Sequence, residues 1–204
     1  MASTDTDILT KRASDKLIAS NAEAEALPAL PEDLRAHLAD HCTHYADRRV
    51  GLIWVMQQLQ SYYGGWLPNR GINEAAEIVG VSRPDVEGVA TFFNWFFREP
   101  VGRKIIVMCD SISCYLGGCE RNLEHVENKL GIKLGETTAD GEYTLLPIVC
   151  LGNCDKAPCM MVGGDLYSNL TPETLDKIFE AYSKQSPTLP GSDTPQADHQ
   201  GGQQ

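Results

Sequence analysis

Residues 104–119 read KIIVMCDSISCYLGGC, and residues 143–154 read YTLLPIVCLGNC. In each, a short apolar run leads into a cysteine-bearing turn rich in Gly, Ser, Asn and Asp. Lys104 to Met108 fits a buried strand, because its apolar residues run on without the alternation of a half-exposed one, and Tyr143 to Val149 reads as a second strand. Between them, Gly117 and Gly118 open a helix whose Cys119, Leu123, Val126 and Leu130 share one face, and Gly131 closes it. Strand, helix, strand predicts a parallel pair joined by a right-handed crossover. Cys159 to Val162 and Leu166 to Tyr167 then read as a hairpin about Gly163-Gly164. Thr171 and Pro172 start a last helix with Leu175, Ile178, Phe179 and Tyr182 on one side. The order predicts a compact α/β domain of the thioredoxin type with a mixed sheet, spanning residues 100–184.

Upstream, residues 30–99 carry helical signals and predict a small bundle. Pro31 suits a first helical position, with Glu32 and Asp33 in the turn where the dipole favours anions. Leu34, Leu38, Cys42 and Tyr45 then share a face. A second helix from about Arg48 to Tyr63 carries Val50, Ile53, Trp54, Leu59 and Tyr62. Asn73 is expected to cap a short helix over Glu74 to Val79, stopped by Gly80. Ser82 caps another, with Val86, Val89, Ala90, Phe93 and Phe97 as its stripe. Residues 1–29 lack a sustained apolar period and read as a partly disordered arm. Residues 185–204 are too polar to bury a core and read as a disordered tail. The expected class is α+β: an N-terminal helical bundle, then the thioredoxin-like α/β domain.

The chain has 204 residues, with 42% hydrophobic and 22% charged, as in an ordinary globular protein. Its formal net charge of −11 argues against nucleic acid, whose phosphates need concentrated Lys and Arg. The densest apolar run, GLIWVM at 51–56, is far too short to insert in a membrane. The first residues lack the apolar core of a secretory signal, and Asp5, Asp7 and Asp15 ill suit a mitochondrial transit peptide. In a reducing compartment, seven cysteines point to metal or catalytic roles rather than disulfides.

Four of the seven stand apart. Cys109 and Cys114 form C-x4-C, and Cys150 and Cys154 form C-x3-C, each pair at a strand end. Thiolates are soft ligands, and four complete the coordination of an iron-sulfur cluster or of a zinc ion. Gly117, Gly118 and Gly152 let backbone approach, so that N–H groups can reach sulfur. Cys119 lies in an apolar helical stripe and Cys159 opens a strand, where a thiol is most simply a small core residue. A redox dithiol would need C-x-x-C, which the chain lacks. Adding an electron to an already anionic thiolate cluster in an acidic protein is disfavoured. This places its potential toward the low end, near the roughly −400 mV of plant-type ferredoxins.

Three other features have weaker functional readings. AAEIVGVSRPDVEGV (75–89) has helix-turn-helix spacing, but Asp85 and Glu87 at the second helix would repel phosphate, so helical packing is the default. His37, His41 and His44 share a helical stripe that could take a metal, or could simply border the core. FFNWFF (92–97) holds more aromatic surface than one helix face buries, which leaves some for a partner.

VMCDSISC, GETTADGEYTLLPIVCLGNCDKAPCMMV and the upstream VATFFNWF resemble the family of small 2Fe-2S subunits of respiratory NADH:quinone oxidoreductase (complex I). The resemblance runs from about Leu30 to Tyr182. It implies a thioredoxin-like ferredoxin with one 2Fe-2S cluster on Cys109, Cys114, Cys150 and Cys154. FMN is then expected in the neighbouring flavoprotein subunit and not in this chain, which has no G-x-G-x-x-G fingerprint. The flavoprotein, which also binds NADH, and a large iron-sulfur subunit are the implied partners. The chain would share in the enzyme's activity without a complete active site. It would sit in the cytoplasm, peripheral to the bacterial inner membrane through the complex. Related subunits of NAD-linked hydrogenases and formate dehydrogenases share the motif, and zinc remains the structural alternative.

Overall fold

The computed structural model describes residues 21–27 and 29–183. Among these, five helices come first: α1 (Asn21–Ala26), α2 (Glu32–Thr43), α3 (Leu52–Tyr62), α4 (Asn69–Val79) and α5 (Arg83–Phe92). Then follow β1 (Lys104–Cys109), α6 (Ile112–Leu116), α7 (Cys119–Leu130), β2 (Tyr143–Ile148), β3 (Met160–Val162), β4 (Asp165–Tyr167) and α8 (Pro172–Ser183). The strand order is β2-β1-β3-β4. β1 and β2 run parallel from Lys104↔Tyr143 to Cys109↔Ile148, and the remaining pairs are antiparallel, so the sheet is mixed as expected. No helix among the described residues is long and apolar enough to cross a membrane.

β1 is buried along its whole length because both its faces are covered. Side chains alternate across a strand. Ile106 and Met108 join Val126 of α7 and Leu175 and Phe179 of α8 in one core. Ile105 and Val107 join Trp66, Phe97, Val101 and Ala24 in another. The helical region therefore supplies the second cover of the sheet. Its own core holds Leu38, Cys42, Val55, Met56, Leu59 and Ile72 at full burial. Lys104 is a charge at the head of a buried strand. Its ammonium lies 2.9 Å from the Glu142 carboxylate and donates to the Tyr182 carbonyl at 3.1 Å. Leaving it without these partners would cost several kcal/mol. Made as they are, they tie the end of α8 to β1.

The structure departs from the sequence expectations in several places. Part of the expected arm is α1, with Ala24 fully buried in the sheet's second cover. Asn21 Oδ1 accepts the Asn69 N–H at 2.9 Å, and Arg70 donates to the carbonyls of Glu25 and Leu27. One buried alanine leaves no apolar period, so the pattern hides this helix. Residues 1–20 and the expected tail lie outside the described residues. α4 begins at Asn69 behind Pro68, a turn before Asn73, which is not its cap. Pro31 is the N-cap of α2 rather than its first residue. Tyr45 falls past the end of α2 and is exposed. A 3-10 turn at Arg48–Gly51 shifts the phase ahead of α3. Leu52, Val55 and Met56 are thus buried, whereas Val50 and Ile53 are exposed. Phe93 and Phe97 lie beyond α5, and Phe97 turns back to the sheet. Ser82 does cap α5, in a capping box with Asp85, and α4 and α5 pack as neighbours.

Candidate metal centre

Parallel pairing brings the two cysteine turns to one end of the sheet. Cys109 ends β1 opposite Ile148, the last residue of β2, so both strands release their turns side by side. Cys114 is carried by α6, a short helix within the first turn that sequence reading took for plain loop. Cys150 follows β2 by two residues, and Cys154 opens a 3-10 turn, Cys154–Lys156. The Cys109 thiol has those of Cys114 and Cys150 in its neighbourhood, as Cys159 has that of Cys114. Cys150 Sγ lies 3.6 Å from Cys154 Sγ. The two turns thus gather four thiols at one end of the sheet, with Cys150 and Cys154 in direct contact.

Their surroundings differ sharply. Cys109 and Cys114 are 2% and 1% exposed, with Ile148, Leu151 and Ala157 packed beside them. Burial, reinforced by the neighbouring Cys109 thiol, pushes the Cys114 thiol up to about 12. Cys150 and Cys154 are exposed. The Gly152 N–H donates to Cys150 Sγ at 3.3 Å and, with Cys154, holds the Cys150 thiol below its ordinary value. Cys154 is raised by the same contact with Cys150. Gly152 has φ +77°, a left-handed conformation that favours glycine and turns its amide toward the sulfur. A side chain on Gly117 would come within 3.1 Å of the Pro158 ring, so glycine there serves close packing on Pro158. Ile112, Leu116 and Val149 are exposed near the same turns.

Cys119 and Cys159 are buried in the same cluster as Cys109 and Cys114, so nearness alone does not single out four ligands. The Cys159 thiol is engaged with the carbonyls of Asn153 and Lys156, a role that strand-opening position did not reveal. Cys42 lies in the helical core, away from the turns. His41 stacks on Trp54 at 3.8 Å, with His37 edge-on to the same ring at 5.8 Å. Its pKa is lowered, first by burial and then by His44 and His37. Among the described residues no group of three or more His, Cys, Asp or Glu is placed to hold a single metal ion. The donor set at the turns fits an iron-sulfur group in kind: four soft thiols, an amide already bonded to sulfur, and apolar cover on the inner side.

Comparison with known proteins agrees with this chemistry. The family model for the thioredoxin-like 2Fe-2S ferredoxin matches residues 38–183. The E subunit of NADH-quinone oxidoreductase from Pseudomonas aeruginosa is 45% identical over 153 residues, covering 75% of this chain and 92% of that protein. Its counterpart from Escherichia coli is 45% identical over 139 residues, covering 68% and 83%. That from Buchnera aphidicola of Acyrthosiphon pisum is 48% identical over 139 residues, covering 68% and 85%. Among solved structures, an NAD+-reducing NiFe-hydrogenase in the air-oxidized state is similar in fold. Its TM-score is 0.57 at 23% identity, over 67% of this chain and 23% of that one.

Proposed function

The chain belongs to the thioredoxin-like 2Fe-2S ferredoxin family, and on that premise we propose that Cys109, Cys114, Cys150 and Cys154 hold its one 2Fe-2S cluster. It is an electron-transfer subunit of NADH-quinone oxidoreductase and takes part in that enzyme's reaction as a subunit. The observation that supports the ligand set most is the convergence of two strand-end turns, each carrying two thiols, at one end of the parallel pair. When bound, the cluster supplies a site that accepts and returns one electron. The chain's own residues hold and shield it. Cys109 and Cys114 bind on the buried side, where apolar neighbours exclude water. Cys150 and Cys154 bind on the open side, where the Gly152 amide stabilises sulfur charge. The open side, where Cys150 and Cys154 are exposed, is the face on which a redox partner would reach the group. Residues 100–184 form the cluster-bearing domain, and residues 30–99 cover the back of its sheet.

The finer assignment is that of the NADH-oxidising arm of complex I, on the cytoplasmic side of the membrane. The FMN- and NADH-binding flavoprotein and the large iron-sulfur subunit are then its contacts. The relatives' shared name and near-full coverage favour this host over a hydrogenase, for which the likeness extends to fold alone. Purification of the native complex through a tag on this chain tests it. The expected material contains FMN, lacks nickel and reduces quinone with NADH. Recovery with a nickel-bearing subunit, or without flavin, would contradict the assignment.

A further inference from the structure

Cys159 stands outside the proposed ligand set, yet it touches both ligand turns. Its thiol, 3% exposed, donates to the Asn153 carbonyl at 3.2 Å and the Lys156 carbonyl at 3.4 Å, which flank Cys154. Its own carbonyl accepts the Cys109 N–H at 3.2 Å. The turn it grips is held from the far side as well. Asn153 Nδ2 donates to Ser168 Oγ at 2.6 Å, and the Asn169 N–H donates to the Lys156 carbonyl at 2.8 Å. Asn153 is thus fixed at both backbone and side chain. The apolar reading of Cys159 as plain core filling leaves these bonds unexplained, since alanine or valine would fill the space without making them.

We propose that Cys159 is a positioning residue for the cluster: its thiol clasps the Cys150–Cys154 turn while its backbone fixes Cys109. The first residue before β3 thereby sets how the open-side ligands sit against the buried ones. This rests on the proposed ligand set. Hydrogen bonds and solvent exposure around cluster sulfurs tune potential, so a loosened turn is read in the cluster itself and not just in folding.

The test uses the full chain with its cluster, comparing Cys159→Ala, Cys159→Val and Cys159→Ser. The first two delete the donor, and the third keeps one. All three are expected to retain the iron and labile sulfide of the unsubstituted chain. The Ala and Val variants should lose iron to a chelator several-fold faster, with shifted g values in the EPR spectrum and a shifted midpoint potential. The Ser variant should return toward the unsubstituted chain in all three. Val fills the thiol's space, so it carries the comparison if Ala fails to fold. Ala or Val indistinguishable from the unsubstituted chain in release rate, spectrum and potential would overturn the proposal. So would a change in melting temperature alone, or Ser behaving like Ala. Complete iron loss in folded Val or Ala would make Cys159 a ligand and also overturn it. Failure of the ligand set is seen separately, as an unsubstituted chain that binds no iron and sulfide.

Discussion

The turn after β1 and the turn after β2 each bring two thiols to the same place, by opposite means. Cys109 and Cys114 are anchored by regular structure, one at the end of a fully buried strand and the other on α6. Cys150 and Cys154 stand exposed on a turn with little regular structure. That turn is held by point contacts: the Gly152 amide on Cys150, the Cys159 thiol on two carbonyls, and Ser168 on Asn153. The buried pair gains protection from water, and within it Cys114 loses ease of ionisation. The exposed pair keeps access to a partner and depends on local hydrogen bonds for its shape. On the proposed ligand set, the difference divides the labour of the site between retention and exchange.

Serine substitutions break the comparison most severely. Changing Cys109, Cys114, Cys150 or Cys154 to Ser should remove most of the iron and labile sulfide, measured by colorimetric assay. Cys119→Ser, on the apolar face of α7, should retain both. If the Cys119 variant lost its iron while all four others kept it, the ligand set would be wrong. Alkylation of the iron-free chain is a gentler probe. Cys150 is exposed with a lowered pKa, and Cys114 is buried and raised, so thiolate access differs at two levels. Mass spectrometry should find Cys150 modified at least about tenfold faster than Cys114. Equal rates would deny the burial difference.

The far end of the sheet provides the control. Burial alone would raise the Glu142 carboxyl, but hydrogen bonds and charge from Lys104 and Arg103 prevail and hold it below its ordinary 4.5. Its folded pKa is depressed, so its stabilisation is present above about 4.5 and fades as pH falls through the depressed value. Glu142→Gln should lower the melting temperature at neutral pH by several degrees, and the deficit should shrink in acid. The EPR spectrum of the cluster should not change, because this latch lies at the head of β1. The smallest effect is expected at Gly152. At φ +77°, Gly152→Ala should cost ~1 kcal/mol in a denaturant titration. A shift of the cluster's potential should accompany it as the amide leaves Cys150.

Much of the fold that places the two cysteine turns was legible in the sequence. The Cys spacing after two apolar runs, the crossover helix and the hairpin all reflect local patterns that the sheet then uses in chain order. What was not legible depended on contacts remote in sequence. α1 is held by Asn69 and Arg70, more than forty positions away, and shows no period of its own. The phase of α3 turned on a 3-10 turn that no residue type announces. Cys159 reads as core by its apolar neighbours Met160, Met161 and Val162, and its bonds to Asn153 and Lys156 become visible once the turn is folded. The surplus of FFNWFF was legible. Phe92 and Trp95 are 79% and 43% exposed, while Phe96 and Phe97 are buried.

An EPR spectrum of the purified chain after one-electron reduction, taken with an iron and sulfide count, tests the central claim most directly. The account predicts about two irons and two labile sulfides per chain, and a signal from a single unpaired electron that appears on reduction. One zinc per chain with no sulfide and no signal would contradict it.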